Sequence, residues 1–327
     1  MILLNVSSDN YNFKINNCIF QNNNHRLLRI DAAIQKPTRT TPSIIINNCK
    51  FYNNMEGILR IGRYTYTTTD ELFKTIIIEL NNNTFINNRG LFLLKFSHLT
   101  INNCYFNTIE RNSMNNEDIV FIRSVESQDN VTIINSIFED IYVKDLFPLI
   151  TVENMNFKVE NTHFSNCKSS FGYLFYIRNK ENLKLNNKDL TIWFKNTTFQ
   201  NTSSLFHGDG NKYLIEKSIF KDYDVKKPFL AVSDSKNSKF SIIDTHFYNI
   251  NLSNSLFIED SSYYFTNVTL KNIKSNSKAI FYFYQRNVEI NGMIVEDIQC
   301  AGDKSSFLVF DSGDTKRTIS VNNLSIN

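Results

Sequence analysis

The chain has 327 residues and a formal net charge of +3. Its Lys and Arg are scattered without a basic block, which excludes the electrostatic footprint of a nucleic-acid binder or of a protein held to an acidic membrane. No run approaches the ~20 apolar residues of a membrane helix, and Met1-Ile2-Leu3-Leu4-Asn5 has neither the charged start nor the apolar length of a signal peptide.

Taken in chain order, the elements repeat. Ile15-Asn16-Asn17-Cys18-Ile19-Phe20-Gln21-Asn22 recurs as Ile46-Asn47-Asn48-Cys49-Lys50-Phe51-Tyr52-Asn53, then over residues 80–87 and 101–108. Further copies centre on Phe138, Phe164, Phe199, Phe220, Phe247, Leu270, Val295 and Ile326. The total is about twelve copies at a mean spacing of roughly 28 residues, a period in the range of solenoid repeats.

The columns of the repeat carry its physics. The first position is apolar. The third is Asn or Asp at Asn17, Asn48, Asn82, Asn103, Asn135, Asn161, Asn196, Asp244, Asn267 and Asn323, with Lys217 and Gly292 as exceptions. The fourth is small in most copies, as at Cys18, Cys49, Cys104, Ser136 and Thr162. The sixth is Phe at Phe20, Phe51, Phe85, Phe106, Phe138, Phe164, Phe199, Phe220 and Phe247. The eighth is again Asn or Asp, from Asn22 to Asp297. A second apolar run follows each copy, as in Leu27-Leu28-Arg29-Ile30, Ile58-Leu59-Arg60-Ile61 and Leu174-Phe175-Tyr176-Ile177.

These runs are short, β-branched and aromatic, and alternate with period two, which is strand chemistry. Each coil reads as strand, Asn corner, short strand, Asn corner, strand. One strand cannot bury its apolar face alone. Stacking equivalent strands in register buries the Phe column and sets each corner Asn above the last, where side-chain amides can bond along a ladder. Asn tolerates the left-handed backbone of a sharp corner, which explains how a 327-residue chain of this kind manages with 9 Gly. The expectation is an all-β, right-handed parallel β-helix of about twelve coils, one domain over residues 1–327, forming a rod roughly 55 Å long. A leucine-rich solenoid is disfavoured, because its L-x-x-L-x-L spacing and helical segment are missing. Both ends fall in mid-coil without a capping helix, so the chain is expected to be a piece of a longer protein with uncapped ends open to end-to-end self-association.

The stacked Asn columns and the F-x-N pattern resemble the right-handed β-helix repeat proteins of the pectin-lyase-like superfamily over essentially the whole chain. Phe20-Gln21-Asn22-Asn23, Phe51-Tyr52-Asn53-Asn54 and Phe85-Ile86-Asn87-Asn88 are also similar to the F-x-x-N half of polymorphic outer-membrane protein repeats; the G-G-A half is absent. The resemblance implies an extracellular or cell-surface location.

Enzymes of that superfamily place carboxylates, Arg and Lys on an outer strand face. Their Asn-Thr-Asp, Asp-Asp, Gly-His-Gly and Arg-Ile-Lys motifs do not stand here intact, and His207-Gly208-Asp209-Gly210 reads as a loop between coils. Asp140, Asp222 and Asp297 recur about three coils apart, roughly 14 Å, too far for one metal or an acid/base pair. His163 and His246 share the outward fifth position at the same separation; His25 and His98 are isolated. Cys18, Cys49 and Cys104 read as small buried hydrophobes in one inward column, and Cys167 and Cys300 lack an evident partner. No catalytic, cofactor or metal residues are assigned; the Asn and Phe columns are assigned structural roles. Tyr64, Tyr66, Tyr263 and Tyr264 are expected on the surface, where they could stack on sugar rings, and Asn130 is the preferred glycan acceptor because it lies outside the corner files. The functional expectation is a structural or adhesive module that contacts polysaccharide or a surface protein, with no nucleic acid and no membrane span in this chain. The alternative is a divergent polysaccharide lyase or glycoside hydrolase.

Overall fold

A computed structural model describes residues 2–6, 11–32, 40–62, 76–95, 97–110, 120–123, 130–144, 147–170, 172–178, 190–208, 210–225, 238–257, 261–302, 305–314 and 316–327. Among them there is no helix, and every strand pairing is parallel. The chain folds as a parallel β-helix. Its first face runs in register from Phe13–Asn16 through Ile44–Asn47, Ile76–Asn81, Ser97–Asn102, Asn130–Ile134, Asn156–Glu160, Thr191–Lys195, Lys212–Glu216, Lys239–Ile243, Ser262–Ser275 and Val288–Cys300 to Ile319–Ile326. A second face stacks short strands from Ile19–Gln21 and Lys50–Tyr52 to Ile219–Val225 and His246–Leu252. A third face is an eight-stranded sheet from Ile2–Val6 to Ser204–His207.

The corners between faces are made by residues with positive φ. At the first corner these are Asn17 (56°), Asn48 (53°), Asn82 (55°), Asn103 (53°), Asn135 (52°), Asn161 (49°) and Asn196 (47°), followed by Lys217, Asp244, Asn267, Gly292 and Asn323. A Cβ in this region crowds the following carbonyl, and Asn is among the few non-Gly residues that visit it routinely. Gly292 has a second reason to be glycine, since a Cβ there would come within 2.7 Å of Asn267 Oδ1.

Amides of the corner residues bond between coils. Asn82 Nδ2 donates to Asn48 Oδ1 (3.1 Å), Asn103 to Asn82 (2.7 Å), Asn161 to Asn135 (3.2 Å) and Asn196 to Asn161 (2.8 Å). Asn135 departs from the file and donates to Asn102, beside Asn103. Every one of these bonds points back toward the preceding coil. A carboxylate can only accept, so an Asp receives from the next coil without passing the bond on: Asp244 accepts from Asn267, Asp140 from Asn166 and Asp222 from Asn249, and Asp222 also accepts from Gln200 of the preceding coil.

The fourth position is corrected by the structure. It is a polar capping position, not merely a small apolar filler. Its side chain accepts a backbone N–H from the preceding coil: Cys18 N–H donates to Cys49 Sγ (3.4 Å), Cys49 to Asn83 Oδ1 (2.9 Å), Cys104 to Ser136 Oγ (3.1 Å), Thr197 to Ser218 Oγ (3.3 Å) and Ser218 to Thr245 Oγ1 (3.4 Å). The same hydroxyl or thiol donates to the carbonyl two residues back, as Ser136 does to Ile134 and Cys104 to Asn102. The bend takes this N–H out of the strand ladder, and a buried donor must find a partner. At the second corner Asn54 and Asn88 do comparable work. Both are fully buried, with Asn54 Nδ2 donating to Asn88 Oδ1 (2.8 Å) and Asn88 Nδ2 to Phe51 O (2.9 Å).

The core is one continuous column. Phe20, Phe51, Phe85, Phe106, Phe138, Phe164, Phe199, Phe220 and Phe247 stack ring on ring, with successive centroids 4.4–5.2 Å apart and planes within 12°. This is the offset-stacked arrangement that the ring quadrupole permits. Side chains of the other faces meet the column edge-on, as Phe92 does against Phe85 (87°) and Phe175 against Phe164 (87°).

Candidate functional site

With the interior filled by this column, chemistry is confined to the outer faces. Period-two alternation on the first face sends Lys158, Trp193, Leu214, Ser241 and Tyr264 outward in one file, aligned by strand register. Beside it lie a file of Thr191, Lys212, Lys239 and Ser262 and a file of Glu160, Lys195, Glu216 and Ile243. Trp193 is the chain's single Trp. It is half-buried among these side chains. Its indole N–H donates to Glu216 Oε2 (2.8 Å). Lys158 Nζ lies 4.6 Å and Lys195 Nζ 5.4 Å from the ring centroid, within cation–π range. Glu160 ties the two ammonium groups together, at 2.7 Å from Lys158 and 3.6 Å from Lys195. The hydrogen bond from Lys158, helped by the charges of both lysines and opposed by partial burial, holds the Glu160 carboxyl below the usual carboxylate range.

Tyr264 lies three coils beyond Trp193, and Lys239 Nζ of the coil before it sits 4.2 Å from its ring centroid. The two Lys–aromatic units are therefore about 14 Å apart along the rod. Leu214 and the small Ser241 lie between them, forming the floor of a saddle with an aromatic post at each end.

The surface tyrosines need one correction. Tyr263 is fully buried, stacked on Phe240 at 5.1 Å and 9°, because register sets it opposite inward Phe240 and Val288. Its neighbour Tyr264 takes the outward place. Tyr64 and Tyr66 lie outside the described residues. Asn130 opens the first-face strand Asn130–Ile134, outside the corner files, and its Oδ1 accepts from Asn156 Nδ2 (2.9 Å).

The remaining candidates do not converge. Asp140, Asp222 and Asp297 are corner residues with positive φ, three coils apart in register. His163 and His246 are likewise three coils apart on the second face. Burial and then Lys221 hold the His163 imidazole below its usual range. All five Cys are free thiols. Burial pushes Cys104 up to about 11 and Cys167 higher still. Among the described residues no three His, Cys, Asp or Glu side chains gather as a metal site requires. Asp209 lies outside the described residues. His207 packs on the third face against Tyr176 (4.9 Å) and Tyr173 (5.3 Å). The next residue is held to glycine, since a Cβ on Gly208 would fall 1.7 Å from Ile177 O. On the same face Arg178 Nη1 pairs with Glu153 Oε1 (3.5 Å). In register Glu153 lies between Arg123 and Arg178.

Fold and surface thus define a parallel β-helix with an aromatic, lysine-rich saddle on its first face. No family model matches the chain, and no curated protein matches it. A similar solved structure is that of PfbA, a surface adhesin of Streptococcus pneumoniae, at 12% identity, covering 96% of this chain and 82% of that one with a TM-score of 0.32.

Proposed function

We propose that this chain is a structural and adhesive β-helix module of a secreted or cell-surface protein, and that the saddle between Trp193 and Tyr264 contacts carbohydrate. The observation that carries the reading is the outward Trp193. The inward files of the first face accept aromatic rings at Phe157, Phe194, Tyr213, Phe240 and Phe265, whereas the largest side chain of the chain stands outside them. Trp193 is nevertheless fixed there by Glu216, Lys158 and Lys195. A rigid aromatic with a tied polar edge loses little entropy on contact with a ligand. A rigid outer face suits a long, repeating polymer, and aromatic plates suit the apolar faces of sugar rings.

The test is direct, because Trp193 is the only tryptophan and its fluorescence reports on the saddle alone. Titration with a panel of neutral and acidic oligosaccharides is expected to shift the emission. Tyr264→Ala is expected to remove the emission shift, and Trp193→Ala, followed by calorimetry because it leaves no tryptophan, is expected to remove binding, while far-ultraviolet circular dichroism stays unchanged. An emission that responds to no glycan in the panel would overturn the reading. As an adhesive module the chain is expected to leave pectin-type polymers intact, with or without Ca²⁺. Release of unsaturated or reducing oligosaccharides would favour the lyase or hydrolase alternative.

A further inference from the structure

We infer that Cys18 and Cys49 form a cross-linking site, a pair of thiols on adjacent coils that exchange with a small-molecule disulfide closes into a covalent staple. The inference stands on the stacking geometry and is independent of the carbohydrate reading. The flanking pairs Asn16–Asn47 and Ile19–Lys50 are in register, and Lys50 N–H donates to Cys18 O (2.9 Å). The two Cys therefore stand one coil step apart, with backbones separated by about 4.8 Å, inside the Cα separation of about 4.4–6.8 Å that a disulfide spans. Cys49 Sγ leans across this gap and lies 3.4 Å from Cys18 N. The other cysteines have no thiol beside them. Cys104 lies between Asn83 and Ser136, Cys300 is in register with Ser275, and Cys167 points its thiol at the carbonyls of Phe138 and Ser165.

Parallel register has one cost. Both side chains point to the same side of their corner, so the Cβ atoms also start about 4.8 Å apart, whereas the bond needs about 3.8 Å. The coil of Cys18 can supply that movement of about 1 Å, because its inward residues Phe13, Ile15 and Phe20 are only half-buried. The same exposure gives the staple its role, since it fixes to the rod a coil that packing holds less firmly. The thiol donations given up, Cys18 Sγ to Asn16 O (3.2 Å) and Cys49 Sγ to Asn47 O (3.1 Å), are weak ones.

Burial holds the Cys49 thiol above its usual range, so Cys18, which is partly exposed, reacts first. Its thiolate attacks one sulfur of the small disulfide, forms a mixed disulfide and releases one small thiolate. Cys49 Sγ then attacks Cys18 Sγ, the second small thiolate leaves, and the Cys49 proton neutralises it. Two protein thiols and one small disulfide become one protein disulfide and two small thiols.

The experiment incubates the native full chain with oxidised glutathione, alkylates the remaining thiols and maps an unreduced digest by mass spectrometry. The expected product is a peptide pair joined through Cys18 and Cys49, with Cys104 and Cys167 still thiols and Cys300 halted at the mixed disulfide. The urea midpoint should rise on oxidation and return when a dithiol reductant is added. Cys49→Ser keeps a small side chain that can accept the Cys18 N–H, as Ser136 accepts that of Cys104. It should leave Cys18 as a mixed disulfide with glutathione and show no rise in midpoint. A mixed disulfide that persists on Cys18 in the unaltered chain overturns the inference. So does a Cys18 that stays a thiol, a Cys18–Cys49 link that forms only in urea, or a rise in midpoint that survives Cys49→Ser.

Discussion

The corner at residue 217 offers a substitution that should make the protein more stable. Lys217 has φ of 49° where the other coils place Asn, Asp or Gly. A left-handed backbone costs an ordinary L-residue about 1–2 kcal/mol, and Asn escapes part of that cost. In register, position 217 follows Asn196, because Lys195 pairs with Glu216. Lys217→Asn would therefore also let a new amide donate to Asn196, for about 0.5 kcal/mol at an exposed site. Together these give a gain of about 1 kcal/mol. The converse change is Asn161→Ala. It removes the donation to Asn135 and the acceptance from Asn196 and puts Ala at φ of 49°. The expected loss is about 2 kcal/mol, and Asn161→Gly should recover the backbone part of it. Urea titration reads both, as shifts of midpoint at constant slope. If Lys217→Asn is neutral or destabilising while Asn161→Ala costs under about 0.5 kcal/mol, the assigned role of the corner side chains is wrong.

Other outcomes follow from the core and the saddle. Phe138 stacks between Phe106 at 4.4 Å and Phe164 at 4.7 Å, in a backbone that cannot close up around a void. Phe138→Ala should cost about 3–5 kcal/mol in urea titration. Phe20, half-buried and stacked on Phe51, should cost roughly half as much on truncation, and equal costs would contradict a continuous stack. Cys104 and Cys167, whose thiols burial pushes upward, should resist a thiol reagent at pH 8 until the protein unfolds, whereas partly exposed Cys18 and Cys300 react in the native state. Early labelling of Cys167 would contradict the packing. Glu160 has a depressed carboxyl pKa, so the stabilisation from its lysine clamp is present above the ordinary Glu value of about 4.3 and is lost as pH falls through the lower folded value. Acid titration should move Trp193 emission, and Glu160→Gln should diminish that change, leaving the part that comes from the Glu216 contact.

The stacked fold was legible because each coil writes the same constraints into the same columns. An inward Phe needs an inward Phe above and below it, and a left-handed corner selects Asn in coil after coil. The fourth column also held its message in plain view, since Cys18, Cys49, Asn83, Cys104, Ser136 and Thr162 all carry a polar heteroatom on a short stem. Reading them as small missed that the bend leaves an N–H to be satisfied, a need visible only once the strand ladder is traced across the corner. Tyr263 and Tyr264 were not separated because a doubled aromatic gives no direction until the register with Phe240 is fixed. Trp193 was missed for a different reason. In Thr191-Ile192-Trp193-Phe194-Lys195 it occupies the outward place of an alternating strand, so its direction could be read, but its partners Lys158 and Glu216 come from neighbouring coils. Spacing between coils varies with the insertions, and no local motif brings those residues together.

The measurement that tests in-register stacking most directly is the distance between spin labels on the second face. Thr84, Thr198 and Thr269 occupy one outward file, four and then three further coils apart. Cys substituted at these sites for labelling, with Cys18→Ser and Cys300→Ser to remove competing thiols, gives two pairs. Pulsed electron resonance should find about 19 Å for 84 and 198 and about 34 Å for 84 and 269, a constant ~4.8 Å per coil. Distances that do not grow with the number of intervening coils would contradict the β-helix, and the saddle would lose its basis with it.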